Sequence, residues 1–241
     1  MGKDTTLGTL PPSGATAPGL ESPVGDSAIT DGRLSAHHLA DLRGSGLSDE
    51  TITRAGLRTI TDPLEIGRVL GWGKPVSTLG PCLYIPFPDP LTGKPNGFAR
   101  LKPTRQRPGG GKYEQPKGAG LRAYFTPGAI EAIRNPPFVV GFTEGEKKAL
   151  AADQAGCPCI GLTGVFSWQK KREDKSAERQ LIEDLAGVAW EKSTIWICFD
   201  TDEVRKPQVN HARAELARVL QNHHGARVVF VDLPIARGCN N

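Results

Sequence analysis

Three carboxylates stand where two apolar runs stop. The near-continuous apolar run Phe138 to Phe142 ends at Glu144, and Gly145 then turns the chain into an amphipathic stretch, Glu146 to Ala155, closed by Gly156. Ser193 to Phe199 is a second such run, delivering Asp200-Thr201-Asp202 ahead of a helical stretch from about Gln208 to Asn222. A carboxylate at the carboxyl end of a parallel strand, beside a glycine and a helix N-terminus, lies where open α/β sheets bind ligands. Asp200 and Asp202, two apart on an extended chain, point to one side. A hard ion such as Mg²⁺ or Mn²⁺ binds through one or two carboxylates plus substrate phosphates. Asp200 and Asp202 are therefore candidate metal ligands, and Glu144 is a candidate proton carrier or further metal ligand. Lys147 and Lys148 bring positive charge to the first helical turn, where backbone amides already favour phosphate. Alone, Glu144 to Lys148 also suits a solvated helix start, because Glu is favourable there; the later Asp-x-Asp tips the balance toward a site.

The order of these blocks resembles the Toprim domain shared by DnaG-type primases, topoisomerases and some nucleases, over roughly Pro137 to Leu233. Upstream, Cys82 to Phe87, Gly97 to Arg100, Lys112-Tyr113 and Tyr124-Phe125 follow the blocks that precede Toprim in primases. The stretch Leu34 to Thr51 is similar to the start of a Toprim-like family found in plasmid, phage and mobile-element replication proteins. The resemblance implies a four-stranded parallel sheet flanked by helices, with Glu144, Asp200 and Asp202 as catalytic acids and ligands of Mg²⁺ or Mn²⁺. It places Lys147, Lys148, Arg100 and Lys112 on phosphates or nucleotide. The partners it implies are nucleic acid, single-stranded DNA first, then nucleoside triphosphates and a replicative helicase. The reaction it implies is metal-dependent nucleotidyl or phosphoryl transfer by a primase-like replication protein; a Toprim-type nuclease and a non-catalytic nucleic-acid-binding module remain open beside it. Three departures bear on the choice. Lys148 stands where primases carry an acid, the Ala-Gly that usually follows Asp-x-Asp is missing, and no zinc-ribbon Cys/His set precedes the domain.

A charge asymmetry accompanies the acids. Between Lys94 and Arg122 lie eight cations, Arg105, Arg107 and Lys112 among them, against the single acid Glu114, seven net positive charges in a chain whose formal total is +4. Concentrated in a Gly- and Pro-rich segment, that charge suits a phosphate backbone. Arg105 to Lys112 reads as a mobile basic loop feeding the acidic centre. Thr163-Gly164 is expected to form a turn beside the site. Trp168, with Lys170, Lys171 and Arg172, suits either a clamp on a strand or a surface loop anchored by one aromatic.

To position these groups the chain needs a strand-helix alternation, and the pattern supplies it. Strands are expected at Phe138 to Phe142, Cys159 to Leu162, Thr194 to Phe199 and Arg227 to Val231, with helices at Glu146 to Ala155, Ser176 to Leu185 and Gln208 to Asn222. This gives an α/β domain over 136–234 and a tail at 235–241. Ahead of it, a small helical region (34–75) has caps at Ser35, Ser48 and Asp62. A β-rich basic region (80–135) follows, with short strands at Cys82 to Phe87, Gly97 to Leu101 and Leu121 to Phe125, and a helix opened by Thr126-Pro127. The first 33 residues, rich in Pro, Gly, Ser, Thr and Ala, read as a disordered tail.

An apolar fraction of 38% in 241 residues allows a substantial core. No stretch approaches the roughly 20 apolar residues of a membrane span, and no secretory signal opens the chain, so a cytoplasmic protein is expected. Five cysteines, an odd number, argue for reduced thiols, and Cys157-Pro-Cys159 reads as small core residues rather than a zinc site. His37-His38 and His223-His224 are expected to be solvated.

Overall fold

Four polar side chains open helices where the sequence places them. The Ser35 hydroxyl accepts from the His38 N–H ahead of α1 (Ala36–Arg43), Ser48 from Thr51 ahead of α2 (Asp49–Arg54), Asp62 from Leu64 ahead of α3 (Pro63–Val69), and Thr126 from Ala129 ahead of α4 (Pro127–Ile133). Pro63 and Pro127 occupy the first turn, where a missing N–H costs nothing. The computed structural model describes residues 33–174, 176–200 and 206–233. The tails expected at 1–33 and 235–241 thus fall, but for Arg33, outside the described residues.

The remaining elements, in chain order, are β1 (Arg58–Ile60), β2 (Cys82–Pro88), β3 (Pro95–Pro103), β4 (Ala123–Phe125), β5 (Val139–Glu144), α5 (Glu146–Gln154), β6 (Cys159–Leu162), α6 (Glu183–Ala186), β7 (Thr194–Ile197), α7 (Pro207–His224) and β8 (Arg227–Phe230). The strands form two sheets, a three-stranded antiparallel one in the order β1-β2-β3 and a five-stranded one in the order β4-β6-β5-β7-β8. In the larger sheet β6, β5, β7 and β8 run parallel, and β4 joins the β6 edge antiparallel. The expected parallel strands are thus present, with a fifth, antiparallel member supplied by the segment read as the end of the basic region.

Two further differences have local causes. The helix expected from Ser176 to Leu185 is reduced to Glu183–Ala186, because Gln180 O accepts from the Lys170 N–H (2.9 Å) and the Ile182 N–H donates to Trp168 O (2.9 Å). That long-range pairing holds 180–182 extended. Strand β1 was not anticipated; three residues are too few to display a period.

One core lies on the sheet face covered by α4, α7 and the loop after β6, and includes Phe142, Trp168, Trp190, Ile195 and Leu216. A second joins Ala149 and Leu150 of α5 to Leu42, Ile52, Leu83, Ile85, Phe87 and Tyr124 from the upstream elements. A third, smaller one gathers Ile60, Ile66, Leu70 and Leu101. Among the described residues no helix is long and apolar enough to cross a membrane.

Candidate active site

Adjacent parallel strands bring the first two acids together. Phe142 of β5 pairs in register with Ile197 of β7, and the Cys198 N–H donates to Phe142 O (2.9 Å), so both chains leave the sheet side by side, one at Glu144 and the other at Asp200. Both residues line one cavity of about 420 Å³, together with Arg100, Lys112, Tyr113, Gly145, Glu146, Lys147, Lys148 and Thr163. The four cations expected at the site, Arg100, Lys112, Lys147 and Lys148, are thus all on its wall. Asp202 lies outside the described residues.

The turn between Glu144 and α5 depends on glycine twice. Gly145 caps the helix at φ 88°, a region that costs a residue with a Cβ. Beneath it, Gly161 of β6 lies so close that a Cβ would sit 2.9 Å from Gly145 O. The sheet neighbour must therefore be bare at that point, a requirement invisible in the local pattern.

The cations are not equivalent. Arg100, from β3, donates through Nη1 to Glu146 Oε1, and both side chains are nearly sealed, 12% and 3% exposed. The guanidinium also lies 4.5 Å over the Tyr113 ring. Burial, then Glu146 and against the pull of Arg100, pushes the Tyr113 hydroxyl up to about 12, so it stays protonated as a donor. Lys147 turns toward α1, where its Nζ donates to Ser45 Oγ (2.8 Å) and to Asp41 Oδ2 (3.2 Å); Lys102 reaches the same carboxylate (2.7 Å). Burial, with Lys102 and Lys112 nearby and Asp41 opposing, holds the Lys147 ammonium below its ordinary value. Although burial opposes it, Lys102 and Lys147 hold the Asp41 carboxyl below its own. Lys148 forms an ion pair with Asp200, partly exposed at 53% and 39%. Lys112 has no carboxylate partner among the described residues and lies 6.0 Å over Tyr113.

Sequence reading missed Glu146, Asp41 and Tyr113 as parts of the site. Glu146 carried a signal, since an acid immediately after the turn glycine belongs to the same helix end, whereas Asp41 lies far away in sequence. The basic segment is less free than its composition implies. Arg107 donates to Glu114 through Nε (2.6 Å) and Nη2 (3.0 Å) and lies over Trp72, while Arg122 donates to Asp184 (2.9 Å). Trp168 is fully buried, which removes it as a stacking platform. Thr163 donates to Ser167 Oγ (3.0 Å), and Ser167 N–H to Gly164 O (2.8 Å), so the turn expected there exists and Thr163 faces the cavity. Cys159 is buried as expected, but Cys157 is exposed; among the described residues no cluster of three His, Cys, Asp or Glu could hold a metal.

Residues 131–239 match the family model described as a domain of unknown function, DUF3854. That stretch contains Glu144, Lys148 and Asp200. None of the curated proteins matches the chain. Among solved structures it is similar to the Aquifex aeolicus primase (zinc-binding and RNA polymerase domains), with a TM-score of 0.56 and 14% identity over 83% of this chain. The chain spans 50% of that structure's length, and at this identity the likeness is one of fold.

Proposed function

We propose that the protein is a divalent-metal-dependent nucleotidyl or phosphoryl transferase acting on nucleic acid, a Toprim-like, primase-like replication protein of a plasmid, phage or integrated element. The observation that carries this reading is the convergence of Glu144 and Asp200, from adjacent parallel strand ends, on one cavity with four cations. The donor set fits a hard ion of the Mg²⁺ or Mn²⁺ kind: two carboxylates beside cations that suit phosphate, as expected where substrate completes the shell, and not a closed protein cage. Asp200 and Asp202 are the residues that would hold it, with Glu144 beside them. Bound there, such an ion would supply neutralisation of phosphate charge and a template for in-line displacement. Glu144 accepts the proton of the attacking hydroxyl, and Lys112 and Lys148 bind phosphate oxygens. Arg100 and Lys147 hold the wall in place through Glu146 and Asp41. The fold likeness to a primase supports nucleic acid and nucleoside triphosphates as the ligands, with a replicative helicase as a candidate partner.

The Lys148–Asp200 pair favours a second reading, a phosphate-binding module without turnover, because the lysine already neutralises one of the acids. One experiment separates these. Purified protein with Mg²⁺ or Mn²⁺, nucleoside triphosphates and single-stranded DNA is scored for both extension and cleavage, and Mn²⁺ binding is followed by calorimetry. Asp200→Asn is expected to abolish metal-dependent activity, while Glu144→Gln keeps much of the Mn²⁺ binding and loses turnover, since an amide keeps the shape but not the basicity. Wild-type protein that binds no Mn²⁺ even with DNA and nucleotide present leaves only the binding module; cleavage without extension assigns a nuclease.

A further inference from the structure

A second and larger cleft, about 910 Å³, is walled by three segments, around Gly118 to Arg122, Phe166 to Arg172 and Arg179 to Asp184. The chain just ahead of the first two lines the carboxylate cavity. Lys112 and Tyr113 line that cavity and Gln115 lines the cleft; Thr163 lines the cavity and Phe166 the cleft. Two banks therefore run from one depression to the other, only two or three residues apart along each chain.

The far bank is built to hold charge outward. Trp168 is fully buried at its root, and the Gln169↔Leu181 bridge ties it to its return strand. Lys170 and Lys171 are exposed on this anchored loop, and among the described residues neither has a carboxylate partner. Arg179 is tethered by Glu215 (2.8 Å) and by Gln169, and Arg122 by Asp184 (2.9 Å), so two guanidinium groups hold fixed positions on the wall. Glu183 and Asp184 are the acids present, and Asp184 is occupied by Arg122 and by the Ala123 N–H (3.0 Å). On the near bank Gly118 and Gly120 have positive φ, and a Cβ at either would meet nothing within 4 Å, which leaves bare backbone at an open surface. Phe166 is half-buried and Leu121 is exposed, giving apolar surface among the cations.

We propose that this cleft is a track for single-stranded nucleic acid that leads along the two banks to Glu144 and Asp200. Phosphates meet Lys170, Lys171 and Arg172 and approach the bare glycine backbone. An unstacked base lies against Phe166, which a paired base in a duplex cannot do. Its direction toward the carboxylates rests on the function proposed above; binding in the cleft does not.

Fluorescence anisotropy of labelled oligo(dT), in EDTA so that metal chemistry plays no part, tests the track. The double variant Lys170→Ala/Lys171→Ala removes two exposed ammonium groups without touching the core. It is expected to bind about tenfold more weakly at about 0.1 M salt, with the salt slope reduced by about 1.4, because each phosphate contact to a single strand contributes about 0.7. Phe166→Ala, checked for folding by circular dichroism, should weaken binding with the slope unchanged. Duplex of the same length should compete poorly. Unchanged affinity and slope in the lysine variant, or equal competition by duplex, would overturn the proposal. Loss of binding in the lysine variant, joined to a wild type that neither extends nor cleaves, keeps the track and removes the catalytic reading.

Discussion

Arg100 and Glu146 offer the sharpest test of how the site wall is held. Arg100→Met removes a cation from a pair whose side chains are 12% and 3% exposed and leaves the Glu146 carboxylate sealed without a counter-charge. Breaking a buried pair in this way costs about 3–5 kcal/mol, whereas replacing both members with apolar groups is often neutral or stabilising. With a urea m-value of about 2 kcal/mol/M, the single variant should lose about 1.5–2.5 M in its unfolding midpoint. The double variant Arg100→Met/Glu146→Leu should recover most of that loss. Tryptophan fluorescence reads the transition, since Trp168 and Trp190 are both buried in the main core. A single variant within about 0.3 M of wild type, or a double variant no more stable than the single, would refute the view that Glu146 is held by charge compensation.

Lys148→Met should strengthen Mn²⁺ binding, by up to about fivefold, because a partly exposed ion pair is worth about 1 kcal/mol at most; calorimetry that shows weaker binding would instead make Lys148 part of the metal's surroundings. His38, 2% exposed, contradicts the expectation of a solvated histidine. Its Nδ1 lies 2.8 Å from Thr59 Oγ1, and burial, then His37, then Lys102 against Asp41, lower it to about 4. The unfolded chain therefore takes up the proton first, and stability should fall as pH drops from about 6.5 toward 4. About 2 kcal/mol should be gone by pH 5 at 1.36 kcal/mol per unit, a loss that urea titrations of a His38→Gln variant should not display. Gly161→Ala places a methyl 2.9 Å from Gly145 O and should displace the turn carrying Glu144, seen as lower metal-dependent turnover with a smaller change in Mn²⁺ binding and in midpoint.

Features written in local chemistry were legible. Strands β5, β6 and β7 are buried parallel strands, and such strands read as apolar runs, so the acids that end two of them stood out. Ser35, Ser48, Asp62 and Thr126 each cap within three residues, so composition alone placed four helix starts. What sequence did not disclose depends on partners far along the chain. Lys102 and Lys147 meet at Asp41, and Arg122 meets Asp184, so a run that looked like free positive charge is partly consumed inside the fold. The 176–182 stretch has helical composition but is captured by Trp168 and Lys170. Buried His38 sits on a short helix whose weak apolar pattern gives no sign of which face is covered.

The helix that follows Glu144 faces two ways. Its Ala149 and Leu150 pack with Leu42, Ile52, Leu83 and Phe87, all upstream of the stretch that the family model covers. A fragment cut to residues 131–239 would carry both described acids but would turn that face of α5 into a wet apolar surface, an invitation to aggregate. The carboxylate-bearing end of this molecule is thus not a portable cassette: transplanting it into another scaffold would require bringing along, or rebuilding, the helices and hairpin that clothe it.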